Sequence, residues 1–493
     1  MKTKIKTRFA PSPTGFLHIG GLRTALFAYL IAKSKDGEVI LRIEDTDQKR
    51  EIEGAVDKLI EILDWTGIKF DAGARLGGED GPYTQSKRQK IYSKYCDRLL
   101  ASGQAYPCFC SSERLQKMRE EQQANKQAPR YDRKCRDLSF EEADAKIKAG
   151  ESYVIRQKMP RSVMVKVMDE LRGEIKFNSA ELEDHVLIKS NGVPTYQFAV
   201  VVDDHLMKIT HIVRGEEWIP SFPKNILLYK AFGWEAPKFV HLPLVMNKSG
   251  GKLSKRTGDV SVENFKAKGY LPQALINFVA LLGWSPYSKQ DNVSDKSKKN
   301  PEILNLAEIT EQFDLKNISI SSAIFDTEKL DFLNGYYIRQ LNLNKLVDLC
   351  LPFLNLKDEK FSQKYIKKVI GLEQERLKRL DEIKELTEFF FVKNLEYDEN
   401  MLVWKKMDLS QAKLNLKKII ELLEKIPEEN WTKKSIEDDI VTYLRTKELK
   451  IGEYLWPMRV ALTGRKASPG PFEVAEVLGK KESLSRIEKA IKK

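Results

Sequence analysis

The stretch Arg8-Phe9-Ala10-Pro11-Ser12-Pro13-Thr14-Gly15-Phe16-Leu17-His18-Ile19-Gly20-Gly21 decides the fold class. On its N-terminal side Ile5 to Ala10 is a short β-type run, which the Pro- and Gly-bearing loop Pro11 to Gly15 ends. On its C-terminal side Leu22 to Lys33 carries apolar residues at helical spacing, and Glu38 to Ile43 (EVILRI) is a second β-type run. A strand, a helix and a strand within about 40 residues form a βαβ unit, which requires parallel strands and puts a ligand at their carboxyl ends. The expected core is therefore an α/β, Rossmann-like nucleotide-binding domain. His18, Gly20 and Gly21 fall at the helix start. Glycines there let the backbone approach an anion, and the unpaired N–H groups and positive dipole end of the helix favour phosphate. His18 is placed to stabilise charge developing on a reacting phosphate.

Working outward, the texture changes from about Ala101 to Lys189, where a cysteine-bearing corner is followed by a polar helical stretch, Ser111 to Lys126. The β-type segments Tyr153 to Lys158 and Ser162 to Val167 come next. This region reads as an α+β insertion, after which VPTYQFAVVVDDHLMKITHIVRGEEW restores strand and helix character. The polar stretch Ser285 to Asn300 reads as a linker or mobile loop, and from Pro301 onward amphipathic helical patterns dominate. No fixed-period repeat is present, which argues against a solenoid.

At roughly 150 residues per domain, 493 residues imply three or so domains, and 42% hydrophobic content supplies several cores. The 84 Lys and Arg against 71 Asp and Glu leave a formal charge of +13, spread along the chain, which favours a polyanionic partner without naming it. The longest apolar run, Ala274 to Trp284, is interrupted by Asn277 and is too short for a membrane helix. The basic start MKTKIKTRFAPSP meets Pro11 and Pro13 before an apolar leader could form, so a cytoplasmic, soluble protein is expected. Of five cysteines, Cys108, Cys110 and Cys135 share one short stretch, a pattern that suits a reducing compartment and a metal better than disulfides. The Cys-x-Cys pair and the later Cys135 could give three zinc ligands, with Tyr131, Asp132 or a water as the fourth.

A second cationic signal is Lys252-Leu253-Ser254-Lys255-Arg256, entered through Ser249-Gly250-Gly251. Three cations in five residues on a glycine-hinged loop can close over a triphosphate and neutralise its leaving group. Paired with the His18 helix start, it resembles the HIGH and KMSKS signatures of class I aminoacyl-tRNA synthetases. Further stretches sharpen the resemblance to the bacterial-type glutamyl-tRNA synthetases: LRIEDTD (41–47), GPYTQS (81–86), VVDDHLM (201–207), RGEEW (214–218) and AFGWEAPKFVHLPL (231–244). FLNGYYI (332–338) and RVALTGRKASPGPFEVAEVLG (459–479) carry it nearly to the end of the chain. Gly21 replaces the second His of the first signature and Arg256 the final Ser of the second, variations similar to this subgroup.

The resemblance implies ATP-dependent activation of L-glutamate, with Mg²⁺, and transfer to tRNA(Glu); relaxed members of the family also charge tRNA(Gln). It implies His18, Lys252 and Lys255 as catalytic residues, with Gly20, Gly21 and Trp218 beside the nucleotide. Arg8, Tyr196 and Arg214 are expected to bind the side-chain carboxylate of glutamate, and Ala10, Ser12 and Glu44 its ammonium end. Charge supports this, since two carboxylates and an ammonium call for arginines and a carboxylate at converging strand ends. Arg376 is expected to read an anticodon base. Some relatives hold one structural Zn²⁺ through Cys-x-Cys and Tyr-x-x-x-Cys, which would be Cys108, Cys110, Tyr131 and Cys135 here. The implied layout is a catalytic domain at 1–100 and 190–243, an acceptor-binding insert at 101–189, a stem-contact domain at 244–335 and all-α anticodon-binding domains at 336–385 and 386–493, in a monomer.

A glutaminyl enzyme is disfavoured by the paired arginines and the helical C-terminal half. A truncated relative that modifies a tRNA base would lack that half. A small-molecule nucleotidyltransferase would need neither the insert nor the lysine loop.

Overall fold

Thr7, Arg8 and Phe9 are all buried, so both faces of the strand Lys6–Phe9 (β1) are covered although only Phe9 is apolar, and the helix Ile19–Lys33 that follows is buried nearly all round. It therefore packs inside the molecule and returns the chain to Glu38–Leu41 (β2), parallel to β1 with Lys6 opposite Glu38 and Phe9 opposite Leu41. A computed structural model of the chain describes residues 4–13, 15–46, 53–253, 260–286, 302–356 and 361–493. The helix begins three residues earlier than its apolar spacing suggests, because the His18 side chain caps it by accepting from the Gly20 N–H.

The remaining strands are Ala72–Gly73 (β3), Ala105–Cys108 (β4), Val154–Gln157 (β5), Met164–Asp169 (β6), Gly173–Asn178 (β7), Val186–Ile188 (β8), His211–Gly215 (β9), Lys238–Leu242 (β10), Val245–Asn247 (β11) and Ala323–Phe325 (β12). The main sheet runs β3-β2-β1-β9-β10-β6-β7, parallel except for the β6–β7 hairpin. Strand β9, some 170 residues after β2, lies beside β1, so the order reverses at β1 and opens a crevice at the carboxyl ends, as a doubly wound sheet does. The α/β expectation therefore holds.

The segment 101–189 divides its strands between two sheets. Strands β4, β5 and β8 make an antiparallel sheet of their own, but the β6–β7 hairpin joins the main sheet where Asp169 pairs with Phe239 of β10. The polar stretch after the cysteines forms the helix Ser112–Ala124, capped by Ser111.

Two compact units result, Met1–Ala267 with Pro272–Leu330, and Lys268–Leu271 with Asp331–Lys493. From Asp331 onward the described residues of the second unit form helices and turns around a core that includes Leu416, Ile440, Val474 and Ile487. Of the stretch Ser285 to Asn300 read as a linker, residues 287–300 lie outside the described residues. Among the described residues no helix is long and apolar enough to cross a membrane.

Candidate active site

The strand ends and the loop after β1 enclose a cleft of about 800 Å³. Arg8, Ala10 and Ser12 line it from β1 and its loop, and His18, Gly20 and Gly21 from the helix start. Glu44 reaches it beyond β2, Arg214 from β9, and Tyr196, Trp218 and Lys252 from later elements. One cleft thus collects every expected residue of the first unit except Lys255, which lies outside the described residues, and the cysteine group.

Beneath the cleft lies an ion network that burial makes stringent. Arg8 Nε donates to Asp204 Oδ1 at 3.0 Å, and Arg42 Nη1 donates to the same oxygen at 2.7 Å. Arg42 Nη2 also donates to Glu44 Oε1 at 2.9 Å. Arg42 and Asp204 are 0% and 1% exposed, so each depends on the others for its charge. Burial pushes the Asp204 carboxyl up, but Arg42 and Arg8 outweigh it and hold it below the usual carboxylate range. For Glu44 burial prevails, and its pKa is raised despite the two arginines. Next to Asp204, Asp203 accepts from Arg88 Nε at 2.7 Å and from Gln85 and Tyr92 at 2.9 Å each. Arg8 and Glu44, at neighbouring strand ends, thus pair with Asp204 and Arg42 respectively rather than with each other.

Arg214 is held differently. Its Nε donates to His241 Nε2 at 2.9 Å and its Nη1 to Asn225 Oδ1 at 3.0 Å, both neutral acceptors, and its Nη2 is buried with no hydrogen-bond partner. Burial lowers its pKa to about 10, against the raising influence of Tyr196. Tyr196 begins the helix Tyr196–Leu206 and faces Trp218 with ring centroids 4.8 Å apart; burial, with Glu44 adding to it, pushes its phenol up to about 12.

At the phosphate end, His18 Nδ1 accepts from the Gly20 N–H at 2.9 Å, so a neutral ring carries its proton on Nε2. Lys252 lies 3.6 Å from Glu217, with both side chains about half exposed. The turn that leads to it passes through Gly250 and Gly251, at φ 89° and 81°, a left-handed pair that residues with a Cβ rarely adopt.

Away from the cleft, the Sγ atoms of Cys108, Cys110 and Cys135 lie within 4.8 Å of one another. The Tyr131 hydroxyl is 3.2 Å from Cys108 Sγ and 3.6 Å from Cys110 Sγ, while Asp132 turns away to pair with Arg114. Burial raises the Cys108 thiol, but its hydrogen bonds with Tyr131, the Cys110 backbone and Arg156 outweigh it and lower its pKa. Burial and the neighbouring thiols push Cys110 up to about 11. The three thiols around one point could supply three of the four ligands of a structural zinc site, and the Tyr131 oxygen lies beside them, although burial raises its phenol pKa.

In the second unit Arg376 follows the helix Gln363–Glu373, and its Nη1 donates to the buried Glu373 carboxylate at 3.0 Å. Its side chain remains 34% exposed, enough to present the guanidinium edge. Burial, opposed by Arg376 and Arg465, raises the Glu373 carboxyl to about 7.

Sequence reasoning assigned no role to Arg42, Asp204, Asn225 or His241. For two of them a local signal exists, since Arg42 between Leu41 and Ile43 and His241 between Val240 and Leu242 interrupt apolar strand runs. Such a polar residue is buried and must be paired.

Residues 4–332 match the family described as tRNA synthetases class I (E and Q), catalytic domain, and residues 345–491 match an anticodon binding domain. The chain is 46% identical to a glutamate–tRNA ligase of Clostridium botulinum over 100% of this chain and 99% of that protein. It is 45% identical to one of Clostridium tetani, over 99% and 98%. A crystal structure of a glutamate tRNA ligase from Elizabethkingia meningosepticum in complex with its amino acid superposes with a TM-score of 0.88 at 35% identity, covering 99% of both chains. With its cleft at the switch point of a parallel sheet, its helical second unit and these end-to-end matches, the chain belongs to the glutamate–tRNA ligase family of class I tRNA synthetases.

Proposed function

We propose that the chain charges tRNA with glutamate in two steps: L-glutamate and ATP give glutamyl-adenylate and pyrophosphate, and the glutamyl group then passes to the 3′-terminal adenosine of tRNA(Glu). The chain is a glutamate–tRNA ligase by family and full-length likeness. The observation that carries the choice of amino acid is Arg214, a buried guanidinium with two neutral partners and one nitrogen without any. A side-chain carboxylate supplies the anion this group lacks. A side-chain amide leaves the charge buried and unneutralised, which is costly.

In this reading Arg8, Arg214 and Tyr196 bind the side-chain carboxylate, and Ala10, Ser12 and Glu44 hold the ammonium end. The substrate α-carboxylate then faces the α-phosphorus of ATP, and its attack expels pyrophosphate without a covalent enzyme intermediate. His18, with its proton on Nε2, donates to a phosphate oxygen as charge develops, and the N–H groups at Gly20 and Gly21 add the helix dipole. Lys252 and Lys255 neutralise the pyrophosphate, and Trp218 flanks the adenosine. Among the described residues no cluster of three carboxylate or histidine ligands forms. Mg²⁺ would neutralise the charge of the phosphates.

Zinc at Cys108, Cys110, Cys135 and Tyr131 would be structural. Arg376 reads an anticodon base, and a share of the +13 surplus meets the RNA backbone. A cytoplasmic monomer is the form the family resemblance supports, and tRNA(Gln) is a second acceptor if the enzyme is of the relaxed kind. One aminoacylation experiment tests the whole: purified tRNA(Glu) and tRNA(Gln), each offered glutamate or glutamine. Glutamate transfer to tRNA(Glu) is expected, and charging with glutamine, or none with glutamate, overturns the assignment.

A further inference from the structure

We infer that Asp169 and His241 form a positioning pair that aims Arg214 at the substrate's side-chain carboxylate; the inference rests on the reading of Arg214 given above and names the residues that make it work. A guanidinium has only donors, so the 2.9 Å contact between Arg214 Nε and His241 Nε2 requires a lone pair on Nε2. The proton of a neutral His241 must then sit on Nδ1, where Asp169 Oδ2 accepts it at 2.7 Å. Asp169 cannot reverse the polarity, because its oxygens already accept from the backbone N–H groups of Leu171, Arg172 and His241 at 2.9–3.1 Å. These bonds hold it as an acceptor, and with it the tautomer of the ring between Asp169 and Arg214.

Burial selects the neutral ring. His241 is 0% and Asp169 1% exposed, and Phe222 lies against the imidazole with centroids 4.9 Å apart. Burial lowers the His241 pKa, Arg214 and Arg172 push it the same way, and Asp169 opposes them. Protonation would set Nε2–H against Nε–H, two donors face to face, and would release Arg214.

The geometry of Arg214 shows what the pair accomplishes. With Nε fixed by His241 and Nη1 by Asn225, which itself donates to Gln197 at 2.7 Å, the plane of the guanidinium is determined. Only Nη2 is left without an acceptor, and Arg214 lines the cleft. Asp169 reaches this relay because the β6–β7 hairpin joins the sheet beside β10, so a residue of the 101–189 segment sets the amino-acid pocket.

The test measures aminoacylation with glutamate and ATP varied separately, and the melting temperature of each variant. His241→Phe keeps the shape and removes the acceptor, and should raise the KM for glutamate about tenfold or more, the loss expected for one charge-assisted hydrogen bond, with the KM for ATP nearly unchanged. His241→Gln offers an amide oxygen to Nε–H and should recover most of that loss, which a purely structural role would not predict. Asp169→Asn should resemble His241→Phe, since an amide donor toward Nδ1 drives the proton to Nε2. Arg214→Ala separates the two readings. If it leaves the glutamate KM unchanged, the assignment of Arg214 fails and the pair falls with it. If Arg214→Ala is severe while His241→Phe is silent on glutamate KM, or if His241→Phe costs as much in the Arg214→Ala background as alone, Arg214 stands and the positioning pair is overturned.

Discussion

Asp204 offers a sharp test of the network under the cleft. Asp204→Ala removes one oxygen that accepts from both Arg8 and Arg42, at 3.0 and 2.7 Å. Arg42 keeps Glu44 at 2.9 Å and Asp203 at 3.9 Å, so its charge remains compensated. Arg8 keeps only the Val213 carbonyl as a hydrogen-bond partner, at 3.5 Å, with the Glu44 carboxylate acting on it without a hydrogen bond, and becomes a poorly compensated buried cation. Removing one partner of a buried pair costs about 3–5 kcal/mol. The lower end applies, because the other Asp204 oxygen is itself buried without a partner and its loss removes a penalty. In a unit of this size about 3 kcal/mol corresponds to a fall of roughly 4 °C in melting temperature. Asp204→Asn retains an acceptor and should lose about half as much. The glutamate KM should rise in both variants as Arg8 loses its anchor, with Asp204→Ala the more severe. Thermal unfolding followed by circular dichroism, with steady-state aminoacylation beside it, measures both effects. A melting temperature within about 1 °C of the parent together with an unchanged glutamate KM would refute the reasoning.

Glu373 makes the stability of the second unit depend on pH. Its folded pKa, about 7, lies above the ordinary 4.5, so the folded form holds an extra proton between those values. Its stabilising share is complete below about pH 4.5 and is lost as pH rises through 7. Glu373→Gln should flatten that window and gain about 1–3 kcal/mol at pH 8, and a variant that melts as the parent does at both pH 5 and pH 8 contradicts it. Protein purified without chelator should carry about one zinc per chain, and Cys110→Ser should lose it with a lower melting temperature. Metal content near zero with full activity removes the zinc reading.

The first β-type runs, the buried helix between them and the helical C-terminal half were legible because each is written in local periodicity. Arg8, Glu44 and Arg214 were legible at strand ends and His18, Gly20 and Gly21 at a helix start, positions that a parallel sheet gathers on one side; Lys252 was legible as part of a cationic loop, and Ala10, Ser12, Tyr196 and Trp218 came from the family resemblance. The partners of those residues were not legible. Arg8 and Asp204 are 196 residues apart, and nothing near either one names the other. The same holds for Asp169 and His241, 72 residues apart, which meet only because the hairpin adds to the sheet edge.

The sequence by itself therefore determined the α/β class, the nucleotide-type loop at His18, the clustering of three cysteines and the family. Spacing along one chain fixes which groups share a helix start, a strand end or a short loop. Only the tertiary structure decided that Arg8 pairs with Asp204, that Arg42 takes Glu44, and that Arg214 stands on His241 with one buried nitrogen left without a hydrogen-bond partner. Those choices depend on the order in which strands are laid side by side. Long-range pairing sets that order, and the buried charges, which cannot stay unpaired in a low-dielectric interior, then accept whichever partner it brings within reach.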